Sequence, residues 1–189
     1  VTTAQLYEQL NDVNHSLEKR VQYTQLILDD PSLIDNLLDI LFMVDDKRSC
    51  RAGWVLEFVC KKNLLILLPY LDEFTSKIHL VHLDSAVRPV AKICEYLAKN
   101  IKIPENSLLE FMFSKQHKER IISVCFDYMI NDEKVATKAY AMSTLYMLGK
   151  EFPWIHPELV VILERDFPSQ SAAYKARARQ ILKRIKSKK

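Results

Sequence analysis

Four segments of this chain repeat one helical pattern, and the recurrence leaves few folds open. They are Cys50–Leu56, Val87–Ile93, Val135–Ala141 and Tyr174–Ile181. Each has a polar start, then Val, Arg or Ala, then small and long apolar residues four apart. Aligned on Trp54, Ala91, Ala139 and Ala178, they recur at intervals of 37, 48 and 39 residues. A period of that size signals stacked helical hairpins, because one hairpin cannot bury its apolar face alone and must cover its neighbour's. Gly53 and Gly149 are the only glycines in 189 residues. A β-rich or nucleotide-binding α/β fold needs far more glycine in its tight turns.

Periodicity and punctuation divide the chain into about ten helices in five antiparallel pairs. The first two run from Thr3 to about Val13 and from Ser16 to about Leu28, where Asp29-Asp30-Pro31 stops the second. Ser32–Val44 and Lys47–Lys62 follow, then Leu64–Ile78, which Pro69 should kink or restart. Asp84 reads as the cap of a helix reaching Asn100, with Pro89 near its first turns. The insertion that stretches one interval to 48 residues lies at Ile101–Lys115, with a short helix from Pro104-Glu105-Asn106-Ser107 to Phe113. Gln116–Ile130 and Glu133–Lys150 form the next pair, the latter capped by Asn131 or Asp132. His156–Glu164 and Ser169–Lys186 complete the set. The expected organisation is one repeat domain over residues 1–189: a capping hairpin at 1–30, central repeats at 31–168 and a basic terminal helix at 169–189.

The second helices carry a turn acid, Val-Arg, a small residue and Leu or Ile. Asp84-Ser85-Ala86-Val87-Arg88-Pro89-Val90-Ala91 shows the pattern best, and Asn131-Asp132-Glu133-Lys134-Val135-Ala136 next. Over residues 31–186 the chain resembles the HEAT and armadillo repeat families. The resemblance implies an all-α fold, a right-handed α-α superhelix, whose second helices line a concave binding face. It says little about what is bound.

Enzymatic signatures are missing from the sequence. It has no nucleophile elbow, Walker loop or dinucleotide fingerprint, and no pair of carboxylates spaced for acid–base work. His79-x-x-His82 puts two imidazoles near each other, but a metal needs three or four ligands, here Asp84 or Cys94 in addition. Two exposed histidines at a helix end are the expected reading, with no catalytic residue, metal or cofactor. Cys50, Cys60, Cys94 and Cys125 lie in helical patterns without a CxxC pair, as buried thiols in a reducing compartment would. No basic-then-apolar leader opens the sequence, and the longest apolar run, Leu64–Leu68, is too short for a bilayer. A cytoplasmic protein with no membrane partner is expected.

Charge is distributed more informatively than the net +3 suggests. After Asp166 there is no acidic residue, while Lys175, Arg177, Arg179, Lys183, Arg184, Lys186, Lys188 and Lys189 follow. Sorted by helix, the first members of the pairs are slightly acidic and the second members clearly basic. A basic concave face would focus its field on an anionic partner. The residues expected to hold that partner are Arg51, Arg88, Lys92, Lys134, Lys138, Lys175, Arg179 and Lys183. A protein or acidic peptide is the leading partner and nucleic acid the alternative; a lysine-rich last helix also serves as a solubilising cap. In build the chain is similar to HEAT-like alkylpurine DNA glycosylases, which cradle damaged duplex with groove tryptophans, an aspartate and an arginine. Trp54 is followed by Glu57 rather than by an aspartate one turn on, so the resemblance implies DNA binding more than glycosylase chemistry. Packing is the first expectation for Trp54, and projection into the groove beside Arg51 and Glu57 the second.

Overall fold

The computed structural model describes residues 1–14, 16–103 and 107–187. Among them are eleven α-helices and no strand: α1 Thr3–Gln9, α2 Leu17–Asp29, α3 Leu33–Leu41, α4 Lys47–Lys62, α5 Leu71–Lys77, α6 Asp84–Asn100, α7 Ser107–Met112, α8 Lys115–Ile130, α9 Val135–Leu148, α10 Ile155–Asp166 and α11 Ala172–Lys186. The second members α2, α4, α6, α9 and α11 form one layer, each packed against the next. On the other side α1 packs on α3, and α5 on α8, while α10 lies against α9 and α11. This is an all-α repeat superhelix. The short α7 is the eleventh helix; the expected start of its segment at Pro104-Glu105-Asn106 lies outside the described residues.

The helix ends follow local chemistry. The Asp46 side chain accepts the Arg48 N–H to start α4, and Lys61 and Lys62 occupy its last turn, where cations meet the negative end of the helix dipole. Ser114 and His117 form a reciprocal capping box on α8, and Ser171 caps α11. Pro69 ends a 3₁₀ stretch over Leu64–Tyr70, and α5 restarts at Leu71. Two expected caps are corrected. Leu83 is the N-cap of α6 and Asp84 its first helical residue, while α9 is preceded by Lys134 without any side-chain cap. Asn131 instead ends α8, its backbone carbonyl accepting the Glu133 N–H at 2.9 Å, and stands four residues before the first residue of α9, too early to cap it.

Of the four aligned repeat positions, Ala91 and Ala178 are fully buried, whereas Ala139 and Trp54 are half-buried. The junction of α4 and α6 explains the tryptophan. Pro89 has no N–H, so the carbonyl of Ser85, four residues earlier, lacks its helical donor. The Trp54 indole Nε1–H, reaching across from α4, donates to that carbonyl at 2.9 Å. Gly53 lets the helices close: a Cβ there would stand 3.0 Å from Pro89 Cγ.

Gly149 has a similar role below α9. A side chain there would overlap the His156 ring, which bonds the Tyr146 carbonyl at 2.9 Å and stacks on the Tyr146 ring at 5.5 Å. Gly149→Ala should therefore cost about 2 kcal/mol, typical of overpacking, because the imidazole must leave both contacts. Urea denaturation measures it; unchanged stability would mean that His156 moves freely.

Candidate functional site

The solvent side of the second-helix layer combines aromatic rings with cations that are mostly already engaged. Arg51 on α4 is half-buried and donates to the Leu10 carbonyl at 3.2 Å and Asn11 Oδ1 at 3.1 Å, tying its helix to the first hairpin. Arg88 on α6 pairs with Glu57 on α4, Nη2 to Oε2 at 2.8 Å. Lys92 donates to Glu95 at 2.7 Å, and its ammonium lies 4.3 Å from the Tyr140 ring centroid and 5.0 Å from that of Tyr96. Lys99 takes the other Glu95 oxygen at 2.6 Å.

Glu57 and Glu95 are both buried, Glu95 to 1% exposure. Burial works to raise the Glu95 pKa, but hydrogen bonds and attraction from Lys92 and Lys99 outweigh it and hold the carboxyl below its ordinary value. Burial, with Glu57 nearby, pushes the Tyr96 hydroxyl up to about 12. The two acids pair with the cations in the middle of the face, where the charge summed by helix is already close to zero.

The remaining expected cations divide. Lys134 is exposed and 3.4 Å from Asp84. Lys138 does not line the face: it is buried and donates to the Met129 carbonyl at 3.2 Å, in the last turn of α8, where helix carbonyls attract a cation. Lys175 donates to the Pro168 carbonyl at 3.1 Å, bracing the 3₁₀ turn Phe167–Ser169. Arg179 is exposed with its guanidinium 5.3 Å from the Phe167 ring centroid, and Lys183 is exposed one turn beyond.

A cleft of about 380 Å³ opens between the first turns of α4 and α6, lined by Lys47, Cys50, Arg51, Trp54, Leu83 and Ser85. Asp84 also borders it, near Lys134. The indole N–H is used on Ser85, while Lys47 and Arg51 supply positive charge beside the ring. Sequence reasoning named Arg51 and Trp54 but not Leu83 or Ser85, since helices 31 residues apart bring them together.

His82 bonds Asp45 at 2.9 Å rather than His79, and among the described residues no group of three His, Cys, Asp or Glu is placed to hold a metal. The four cysteines are buried and free, and burial raises the pKa of each thiol, that of Cys125 to about 12. Among the described residues no helix is long and apolar enough to cross a membrane.

A family model described as HEAT repeat domain matches residues 6–185. No curated protein and no solved structure matches the chain.

Proposed function

The chain belongs to the HEAT repeat family, and we propose that it is a non-catalytic binding module that holds an acidic segment of a protein partner. HEAT repeats generally mediate protein interactions, and their layers present extended surfaces suited to it. The observation that carries the reading is the Trp54 cleft, where an aromatic face and a recess meet the charges of Lys47 and Arg51. An apolar side chain against the indole, flanked by carboxylates, would match it. Along the rest of the face Arg88 and Lys92 are committed to buried carboxylates. That pattern favours a few placed acidic side chains over a phosphate backbone, which draws its affinity from a run of free cations. Residues 1–189 act in this reading as one repeat domain, with 1–30 as its cap.

One arrangement favours duplex DNA as a second reading. Trp54, Glu57 and Arg88 lie together, with the acid and the arginine bonded at 2.8 Å, a set similar in kind to the tryptophan, acid and arginine of the HEAT-like glycosylases. Glutamate replaces aspartate, and its burial against Arg88 gives it a structural role.

The test follows the two indole N–H signals by ¹⁵N NMR. The probes are an end-blocked peptide Glu-Asp-Glu-Leu-Phe-Glu-Asp-Glu, its lysine-substituted counterpart and a duplex of about 20 base pairs. The acidic peptide should shift Trp54 and leave Trp154 still, with a Kd of about 10–100 μM. Movement of Trp54 by duplex alone, lost steeply with salt, would install the second reading. Silence towards all three would remove both.

A further inference from the structure

The two ends of the helical stack are complementary in charge and in shape. Residues 1–46 contain nine acidic residues against Lys19 and Arg20, whereas residues 169–189 contain eight basic residues and no acid. Much of this charge is not neutralised by an ion pair: among the described residues Glu18, Asp29, Asp30 and Asp35 make none, nor do Arg177, Arg179, Lys183 and Arg184.

Apolar surface accompanies the charge at both ends. On α2, Leu17 is 62% and Val21 39% exposed, one turn apart, and Leu28 continues the same face two turns on. Glu18 and Asp29 flank this stripe. Beyond the opposite end, a cleft of about 370 Å³ lies between the end of α10 and α11, lined by Phe167, Pro168, Leu182, Arg179 and Glu164. Lys183 stands on the same face of α11 as Arg179, one turn away. Glu164 is occupied by Lys186 at 3.1 Å, so the cleft's own acid is neutralised and its free charge is positive.

We propose that a second copy of this chain docks here head to tail, the α2 stripe of one copy seated in the Phe167–Leu182 cleft of the next. Leu17 and Val21 leave water for the cleft while Glu18, beside them, meets Arg179 and Lys183 and Asp29 adds to the attraction from farther along the helix. The surfaces differ, so the contact is heterologous and continues into chains or closes as a ring. It does not depend on the peptide-binding reading, since the Trp54 cleft lies on neither surface.

Sedimentation of the 189-residue chain tests this. In about 20 mM salt the average mass should rise above 22.1 kDa with concentration, and in about 500 mM salt return to it, because exposed charges are then screened. Two exposed double variants sharpen the test. Glu18→Lys with Asp29→Lys puts cations beside the α2 stripe as well as beside the cleft, and Arg179→Glu with Lys183→Glu puts carboxylates beside the cleft as well as beside the stripe. Each variant alone should stay monomeric at low salt, while an equimolar mixture should associate, acidic head to basic tail. Restored assembly also shows that neither variant has unfolded. A wild-type monomer at every concentration, association insensitive to salt or to the substitutions, or a mixture that stays monomeric would each overturn the proposal.

Discussion

Replacing Lys92 and Lys99 together by Met should destabilise the fold by about 3–5 kcal/mol at neutral pH, the scale for stranding a buried charge. Glu95 is 1% exposed, and the two ammonium groups are its ion-pair partners, at 2.7 and 2.6 Å. Methionine keeps most of the stem volume and removes the charge, so the loss should have an electrostatic signature in pH. In the wild type the folded pKa of Glu95 is held below its ordinary value. Its stabilising contribution is therefore complete above the unfolded pKa of about 4.3 and disappears as pH falls through the folded value. In the variant burial alone remains and raises the folded pKa, so the penalty is greatest at neutral pH and vanishes once both states are protonated. The difference between the two proteins should be largest at neutral pH and should shrink on acidification, beginning as pH falls through the variant's raised value and ending below the wild type's lowered one. Denaturation at a series of pH values measures it. A loss constant across that range would show that the lysine stems, and not their charges, hold the site.

The fold was legible because a solenoid is written locally. Lys47–Lys62 starts and stops where the cap and the basic last turn place it, and Pro69 marks the restart of its helix. The caps of α6 and α9 were not legible, because Asp84 and Asn131 can serve equally as a cap, a first-turn acid or a turn residue. Backbone dihedrals decide among these uses. The binding face was half legible. Summing charge by helix does not say which charges pair: Arg88 finds Glu57 on the preceding second helix, 31 residues back, through a contact with no local signal. Lys92, Glu95 and Lys99 have the i,i+3 and i,i+4 spacing of an ion-pair network, so that neutralisation was readable. Lys134 and Lys138 are one turn apart, but the slight rotation per turn carries Lys138 under α8.

Trp54→Ala should cost about 3 kcal/mol, at the low end for a tryptophan because the side chain is only half-buried. Its hydrogen bond can be isolated from its bulk. Trp54→Phe keeps most of the ring but leaves the Ser85 carbonyl with neither the indole nor a helical donor, since residue 89 is proline. That change alone should cost about 1–2 kcal/mol. Pro89→Ala supplies a backbone N–H to the same carbonyl, so in that background Trp54→Phe should cost clearly less. The coupling in the double-mutant cycle is expected to be about 1 kcal/mol. Additivity would mean that the indole and Pro89 meet at Ser85 without depending on each other. Coupling would mean that the helix-breaking proline of α6 is tolerated because α4 lends it a donor. Trp54 would then owe its orientation at the mouth of the cleft to a backbone need.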